Sequence, residues 1–367
     1  MAGVQLAVNN TKWKIEPHTE AKHQILKGYL HQWFAKLAEG GYSYLTYIDG
    51  FSGPGCYESG EAGSPIIALD ALINHVNFQR WYNKSFNFIF VEVNRGRFES
   101  LKHEVEQFLN ATKPTNVNVG FLNESFEEAI NRILAMNATV SNPFFAFVDP
   151  FGYTGIPIDL LSKVIAPPKS EMFLNLSTDA INRFFGLPLV RERLNALFGM
   201  EVEERTSRLK QVYDRSEVIA NLYQEQLKVQ TRAKYTWKFG MQFSNNHTGY
   251  HLVYATHSPD GLRAMKTAMW KVDQTGGYTF SDRFADQLIL FGDHPNTIPL
   301  KTALANEFKG QTVTIDAIEE FTLVQTPYLV THIRKLTLKP MEETGEIEVE
   351  RTGPKYSFPS GTRVRFL

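Results

Sequence analysis

The stretch SYLTYIDGFSGPG, residues 43–55, decides the fold. Its first seven residues read as a buried strand, and the chain then enters a loop with glycines at 50, 53 and 55. A phosphate-binding fingerprint would place G-x-G-x-x-G directly before a helix. Here a proline separates Gly53 from Gly55, Asp49 closes the strand, and no helix start follows within the next turn.

Strands alternate with helices on either side of this loop. Residues 20–38 carry Ile25, Leu26, Tyr29, Leu30, Trp33, Phe34 and Leu37 at helical spacing, and Gly40-Gly41 ends that helix. Further strands are expected at 87–93, 117–121, 143–151 and 171–177, with helices at 65–77, 95–110, 125–136 and 157–165. That schedule implies a mostly parallel sheet covered on both faces. Residues 179–232 read as a helical insertion. The runs 235–243 and 250–256 suit an antiparallel hairpin that closes the sheet, and a helix is expected at 259–271. The fold class is α/β: a class I, Rossmann-like methyltransferase sheet, which a late hairpin separates from a plain dinucleotide-binding domain. This domain is expected over 1–275, a linker over 276–299 and a winged helix over 300–367. The last rests on short helices at 300–308 and 314–321, helical spacing over 327–338, and strands at 345–350 and 361–367.

The strand ends carry the chemistry. S-adenosylmethionine has no phosphate, and the ammonium of its amino-acid part suits a carboxylate such as Asp49. The loop residues Gly50, Phe51, Ser52, Gly53 and Gly55 are expected around it. Glu92, at the tip of the second strand, suits two ribose hydroxyls, or else is a solvated strand-end charge. Its 43-residue distance from Asp49 exceeds the usual spacing of roughly 20, so an insertion within 56–86 is expected. Asn123 and Glu124 follow the third strand, where an adenine ring would lie.

The fourth strand ends in Asp149-Pro150-Phe151-Gly152-Tyr153. Methyl transfer to a planar exocyclic amine needs acceptors that let the nitrogen pyramidalise, and a wall on which a base stacks. Asp149 and the Pro150 carbonyl suit the first need; Phe151 or Tyr153 suits the second. Cys56 lies beside the glycine loop, which argues against a nucleophilic-cysteine route.

Taken together, Lys22-His23, the Asp49–Gly55 loop, Gly63-Ser64-Pro65, Glu92, the Asp-Pro-Phe-Gly box and Thr326-Pro327-Tyr328 resemble the bacterial three-Cys-motif partner proteins. The resemblance covers nearly the whole chain. It implies a partner bearing three cysteines and similar to radical S-adenosylmethionine enzymes, and it places Lys22, His23 and Ser64 among the cofactor-binding residues. The order Lys-His, glycine loop, Gly-Ser-Pro-x-x-Ala is similar to ribosomal-RNA adenine-N6 methyltransferases of the RlmJ type, which carry Asp-Pro-Pro-Tyr at the box. Asp-Pro-Phe-Gly itself resembles the box of tRNA guanine-N2 dimethyltransferases. Both relatives imply an RNA-base amine as the acceptor without choosing the base.

Composition sets the outer limits. With 367 residues, 43% hydrophobic, the chain has ample sequence for a core. A formal net charge of −1 leaves no global basic field, so any nucleic-acid surface must be local. The single cysteine excludes a disulfide framework and a cysteine-rich zinc site within the chain, and no metal is expected. The start, residues 1–14, lacks signal-peptide regions, and a cytoplasmic protein is expected. On the winged helix, His332, Arg334, Lys335 and Lys339 are the candidate nucleic-acid contacts. Two other functions stay open: a non-catalytic interaction protein that couples the partner to nucleic acid, and a small-molecule or protein methyltransferase.

Overall fold

In the computed structural model, which describes residues 11–136, 142–185, 187–202, 215–245, 247–273, 278–284, 295–351 and 353–367, strand and helix alternate from the start. Helix α1 (Pro17–Glu39) leads into β1 (Tyr44–Asp49), α2 (Ser64–Ile73), β2 (Ser85–Val91), α3 (Arg95–Thr112), β3 (Val117–Leu122) and α4 (Phe126–Met136). Then come β4 (Phe144–Val148), α5 (Ile158–Ile165) and β5 (Ser170–Leu176). Three helices follow among the described residues: α6 (Thr178–Phe184), α7 (Arg191–Phe198) and α8 (Arg215–Gln230). They fall within the expected insertion, of which 186 and 203–214 lie outside the described residues. The domain closes with β6 (Tyr235–Gln242), β7 (Thr248–Thr256), α9 (Pro259–Trp270) and the short β8 (Thr279–Ser281).

One sheet contains these strands in the order β3-β2-β1-β4-β5-β7-β6-β8. Strands β1 to β5 are parallel, as crossover helices require, and β7 is antiparallel to both of its neighbours. Side chains alternate between two cores. Tyr47, Phe88, Phe145 and Phe173 face α1, α2, α3 and α9. Their neighbours Ile48, Ala146, Leu174 and the β7 residue Val253 face α4, α5, α7 and α8. A one-residue slip would exchange the two faces, so burial on both sides fixes the register. The strand order reverses between β1 and β4, which sets the crevice described below.

The stretch expected as a linker is partly sheet: Thr279–Ser281 pairs with β6 as a parallel edge strand. Residues 276–277 and 285–294 of that stretch lie outside the described residues. The winged helix comprises α10 (Ile298–Glu307), β9 (Thr312–Thr314), α11 (Ile315–Gln325), α12 (Lys339–Glu343), β10 (Ile347–Glu350) and β11 (Arg363–Phe366). Its strands form an antiparallel sheet in the order β10-β11-β9 over a core that includes Leu304, Ile318, Ile333 and Phe366. Residues 327–338 do not form the regular helix their spacing suggests. They form a 3-10 turn at Val330–His332 and a π turn at Arg334–Leu338. Pro340 supplies no N–H to the Leu336 carbonyl, and the Thr297 hydroxyl donates to it at 2.8 Å instead.

A buried lysine joins the two units. Lys266 of α9 donates from Nζ to the carbonyls of Thr322, Leu323 and Thr326 at 3.2, 2.9 and 2.7 Å. These carbonyls lie at or just past the end of α11, where intrahelical N–H donors run out, and Thr326 Oγ1 also donates to the Thr322 carbonyl at 2.8 Å. Trp270 Nε1 donates to the Pro327 carbonyl at 2.7 Å beside them. Burial pushes the Lys266 pKa well down, so its hydrogen bonds must offset that desolvation. Replacing Lys266 with Met is expected to lower stability by about 2–4 kcal/mol, because the helix-end carbonyls lose their donor. Urea unfolding measures this, and faster amide exchange across 315–325 should accompany it.

Candidate functional site

The C-terminal ends of β1 and β4 lie side by side where the strand order reverses, a position at which open α/β sheets leave a crevice. Asp149, the residue after β4, stands in it. Its Oδ2 pairs with Nζ of buried Lys22 from α1, and its Oδ1 accepts from Nδ2 of Asn175 on β5 at 2.7 Å.

The glycine loop is tied to the end of β2. Gly53 N–H donates to Glu92 Oε2 at 3.0 Å, and Asn94 N–H donates to Glu92 Oε1 at 2.7 Å. Ser52 Oγ donates to the Asp49 carbonyl and accepts from Val91 N–H, both at 3.1 Å. Gly53 and Gly55 have φ of +62° and +86°, a conformation that favours glycine. At Gly50 a Cβ would lie 2.5 Å from the Phe126 ring.

Two cavities of about 270 Å³ each adjoin here and share Phe51, Pro150 and Phe151. The first is lined by Lys22, His23, Tyr57, Asp149, Asn175 and Tyr250, among others. The second is lined by Gly50, Val91, Glu92, Glu124 and Phe126, among others. Trp13 also lines the first cavity and meets Tyr57 and Phe151 edge-on, with centroids 5.9 and 5.3 Å apart. The Arg97 guanidinium lies over the Trp13 and Phe151 rings, 5.3 and 4.9 Å from their centroids. Phe151 is 60% exposed, so a face remains open to a planar ligand.

Burial shapes the charges. It pushes the Asp49 carboxyl up to about 7, against hydrogen bonds from Ser64 and Phe51 N–H. It raises Glu92 as well, opposed by the Asn94 N–H and Arg97. Burial and the nearby Lys22 hold His23 down at about 3, so its imidazole is neutral at pH 7.

Several expected residues are placed differently. Asp49 lines neither cavity: fully buried, it accepts from Phe51 N–H at 3.3 Å and the Tyr47 hydroxyl at 3.4 Å, and so braces the loop from behind. Tyr153 turns into the core on the α4–α5 face and packs against Phe184, leaving Phe151 as the aromatic at the cavities. Asn123 donates from Nδ2 to the Glu92 and Val93 carbonyls at 2.8 and 3.1 Å, which orders the β2 tip. Glu124 reaches the second cavity and pairs with Arg132 at 2.6 Å. Lys22, His23, Ser52, Gly53, Gly55 and Ser64 line the first cavity with Asp149 and Pro150.

On the winged helix, His332 is buried against Trp270, with ring centroids 4.9 Å apart. Burial and Lys266 hold it down at about 4, so it is not an exposed cation. Arg334 pairs with Glu319 at 2.8 Å, Lys339 lies 3.8 Å from Glu343, and Lys335 is exposed. Trp13, Tyr57, Arg97, Asn175 and Tyr250 were not anticipated at the site. Of these, only Asn175 left a signal, as a polar residue inside an apolar strand.

Residues 278–354 match the model of the GMT-like wHTH domain family. No curated protein matches. Among solved structures, a geranyl diphosphate methyltransferase in complex with GPP and sinefungin is similar over 62% of this chain and 77% of its own, with 11% identity and a TM-score of 0.26. No helix among the described residues is long and apolar enough to cross a membrane.

The Asp49 carboxyl makes stability depend on pH in an unusual direction. Its folded pKa of about 7 lies above the ordinary 3.8, so the folded state holds the proton more tightly between these values. Its contribution to stability therefore falls as pH rises through that window, and the full cost of ionisation persists above it. Asp49→Asn is expected to remove this decline. Melting temperatures measured between those two values, 3.8 and about 7, should fall more steeply with rising pH for the unmodified chain than for the variant.

Proposed function

We propose that this chain transfers a methyl group from S-adenosylmethionine to an exocyclic amine of a nucleic-acid base. The observation that carries this reading is the adjoining of two cavities at Phe51 and Pro150, with Glu92 in one and Asp149 in the other. The residues fit the cofactor. Each oxygen of Glu92 accepts one backbone N–H and keeps a lone pair for a ribose hydroxyl. Val91 and Phe126 line an apolar slot beside it that suits a purine ring, and Gly50 puts no side chain against the Phe126 ring.

When bound, S-adenosylmethionine would supply an electrophilic methyl and keep the C–S electron pair on its departing sulfur; Asp149 is placed to accept the proton that the methylated nitrogen sheds. Asp149 is partly exposed and can pass that proton to solvent. Lys22 and Asn175 fix the orientation of its carboxylate, and Pro150 lines the same cavity. Phe151 and Tyr250 offer ring surfaces for a base drawn into the first cavity. The winged helix would hold the nucleic acid through Arg334, Lys335 and Lys339. The motifs shared with three-Cys-motif partner proteins support a cysteine-bearing, radical S-adenosylmethionine-like partner.

Asp149→Ala should abolish tritium transfer to nucleic acid while leaving cofactor affinity within a few fold. Glu92→Ala should instead weaken calorimetric binding of S-adenosylmethionine by about 1.5–3 kcal/mol, the worth of a charge-assisted hydrogen bond. Unchanged affinity in the second variant would break the cofactor assignment.

Replacing Arg334 and Lys335 together with Ala should lower nucleic-acid affinity and flatten its dependence on salt, because fewer counterions are released. An unchanged salt slope would make the winged helix a protein-docking module.

A further inference from the structure

We infer that Asn175 supplies a second hydrogen-bond acceptor in the first cavity, so that the site selects a primary amine, with two N–H bonds, and methylates it once. The inference rests on the methyl-transfer reading above and adds a residue and a selectivity to it.

Asn175 is the only polar side chain among the last four residues of β5, a strand whose seven residues are all buried. The parallel register pairs Val148 with Leu174, which sets Asn175 beside Asp149. Its Nδ2 donates to Asp149 Oδ1 at 2.7 Å. A carboxylate accepts from such a donor, so the amide must turn its NH₂ toward Asp149 and its oxygen away. That oxygen, Oδ1, is buried and has no hydrogen-bond partner among the described residues, in a side chain that is 8% exposed and lines the cavity. Native proteins pair nearly all such groups, and an exception asks for a missing partner. His23 Nδ1, in the wall of the same cavity, is also buried and without a partner among the described residues.

An exocyclic –NH₂ on a planar ring has two donors. With one directed to Asp149 and the other to Asn175 Oδ1, both hydrogens bend out of the conjugated plane and the nitrogen lone pair is freed to attack. A hydroxyl or a ring nitrogen lacks one or both donors and leaves Oδ1 unpaired. So does a secondary amine, which is why the first methylation product is a poor second substrate.

The test uses the full chain with tritiated S-adenosylmethionine. Its acceptors are single-stranded oligonucleotides of uridine containing one adenine, cytosine or guanine, the same strands with that amine already monomethylated, and an all-uridine control. The expected result is transfer to at least one primary amine, one methyl per base by mass spectrometry, and little transfer to its monomethylated form. Asn175→Leu should lower kcat about 10- to 100-fold, as for loss of a hydrogen bond to a reacting group. It should also erase most of the preference for the primary amine, with cofactor Kd close to the unmodified value. Asn175→Ala serves if the leucine variant does not fold. Variants that keep both the rate and the preference would overturn the role of Asn175 and leave the methyl-transfer reading standing. Cofactor binding with no transfer to any amine-bearing strand, or equal transfer to all-uridine RNA, would overturn both the inference and the nucleobase assignment.

Discussion

The carboxylate of Asp149 is held from two sides, by Lys22 on the first helix and Asn175 on the neighbouring strand, and the site depends on that grip. A lysine as buried as Lys22 needs a counter-charge, because an isolated ammonium away from water is costly. Asp149 is available to it only because β4 ends at the point where the strand order reverses. The ion pair anchors the start of α1, whose apolar face of Ile25, Leu26, Tyr29 and Phe34 packs into the core. In doing so it brings His23 to the cavity wall beside Tyr57, with ring centroids 5.7 Å apart. The same carboxylate keeps lone pairs free toward the cavity, so one group both positions the helix and presents an acceptor to a ligand.

The glycine loop answers to a second carboxylate. Glu92 accepts from Gly53 and Asn94, which joins the tips of β1 and β2 and sets the loop between the two cavities. Asp49 braces the loop from beneath. Asp49, Glu92 and Asp149 thus gather around one crevice with Lys22 and Arg97 as the cations beside them, and burial already raises two of the carboxyls. Such a crevice is electrostatically suited to a ligand that carries positive charge, as a sulfonium with an ammonium does.

Much of this could be read along the chain, and the misses have physical causes. Buried strands are apolar runs, and their C-terminal residues are where a parallel sheet places its ligands, so Asp49, Glu92 and Asp149 stood out. Which way each side chain points was not written there. Asp49 and Ile48 differ by one position in a strand buried on both faces. Tyr153 and Phe151 share a turn, and only the three-dimensional packing tells them apart, Tyr153 joining the core while Phe151 stays exposed. The irregular backbone before α12 follows from Pro340 together with Thr297, residues far apart in sequence. A three-residue edge strand such as β8 has too little pattern to detect. Trp13 reaches the site from a segment with no periodicity; its carbonyl accepts from Glu58 N–H at 2.9 Å, and its ring meets Tyr57, Phe151 and Arg97.

The central claim is that one cofactor spans the two cavities at the reversal of the strand order. A crystal structure of the chain with S-adenosylhomocysteine tests it directly. The expected density has the ribose hydroxyls on Glu92, the adenine against Phe126, and the sulfur directed past Phe51 toward Asp149. A ligand seated elsewhere would contradict the account, as in the larger cavity of about 590 Å³ between α1 and α9, lined by Trp33 and Glu171. So would a fully ordered Glu92 and glycine loop with no ligand density at saturating concentration.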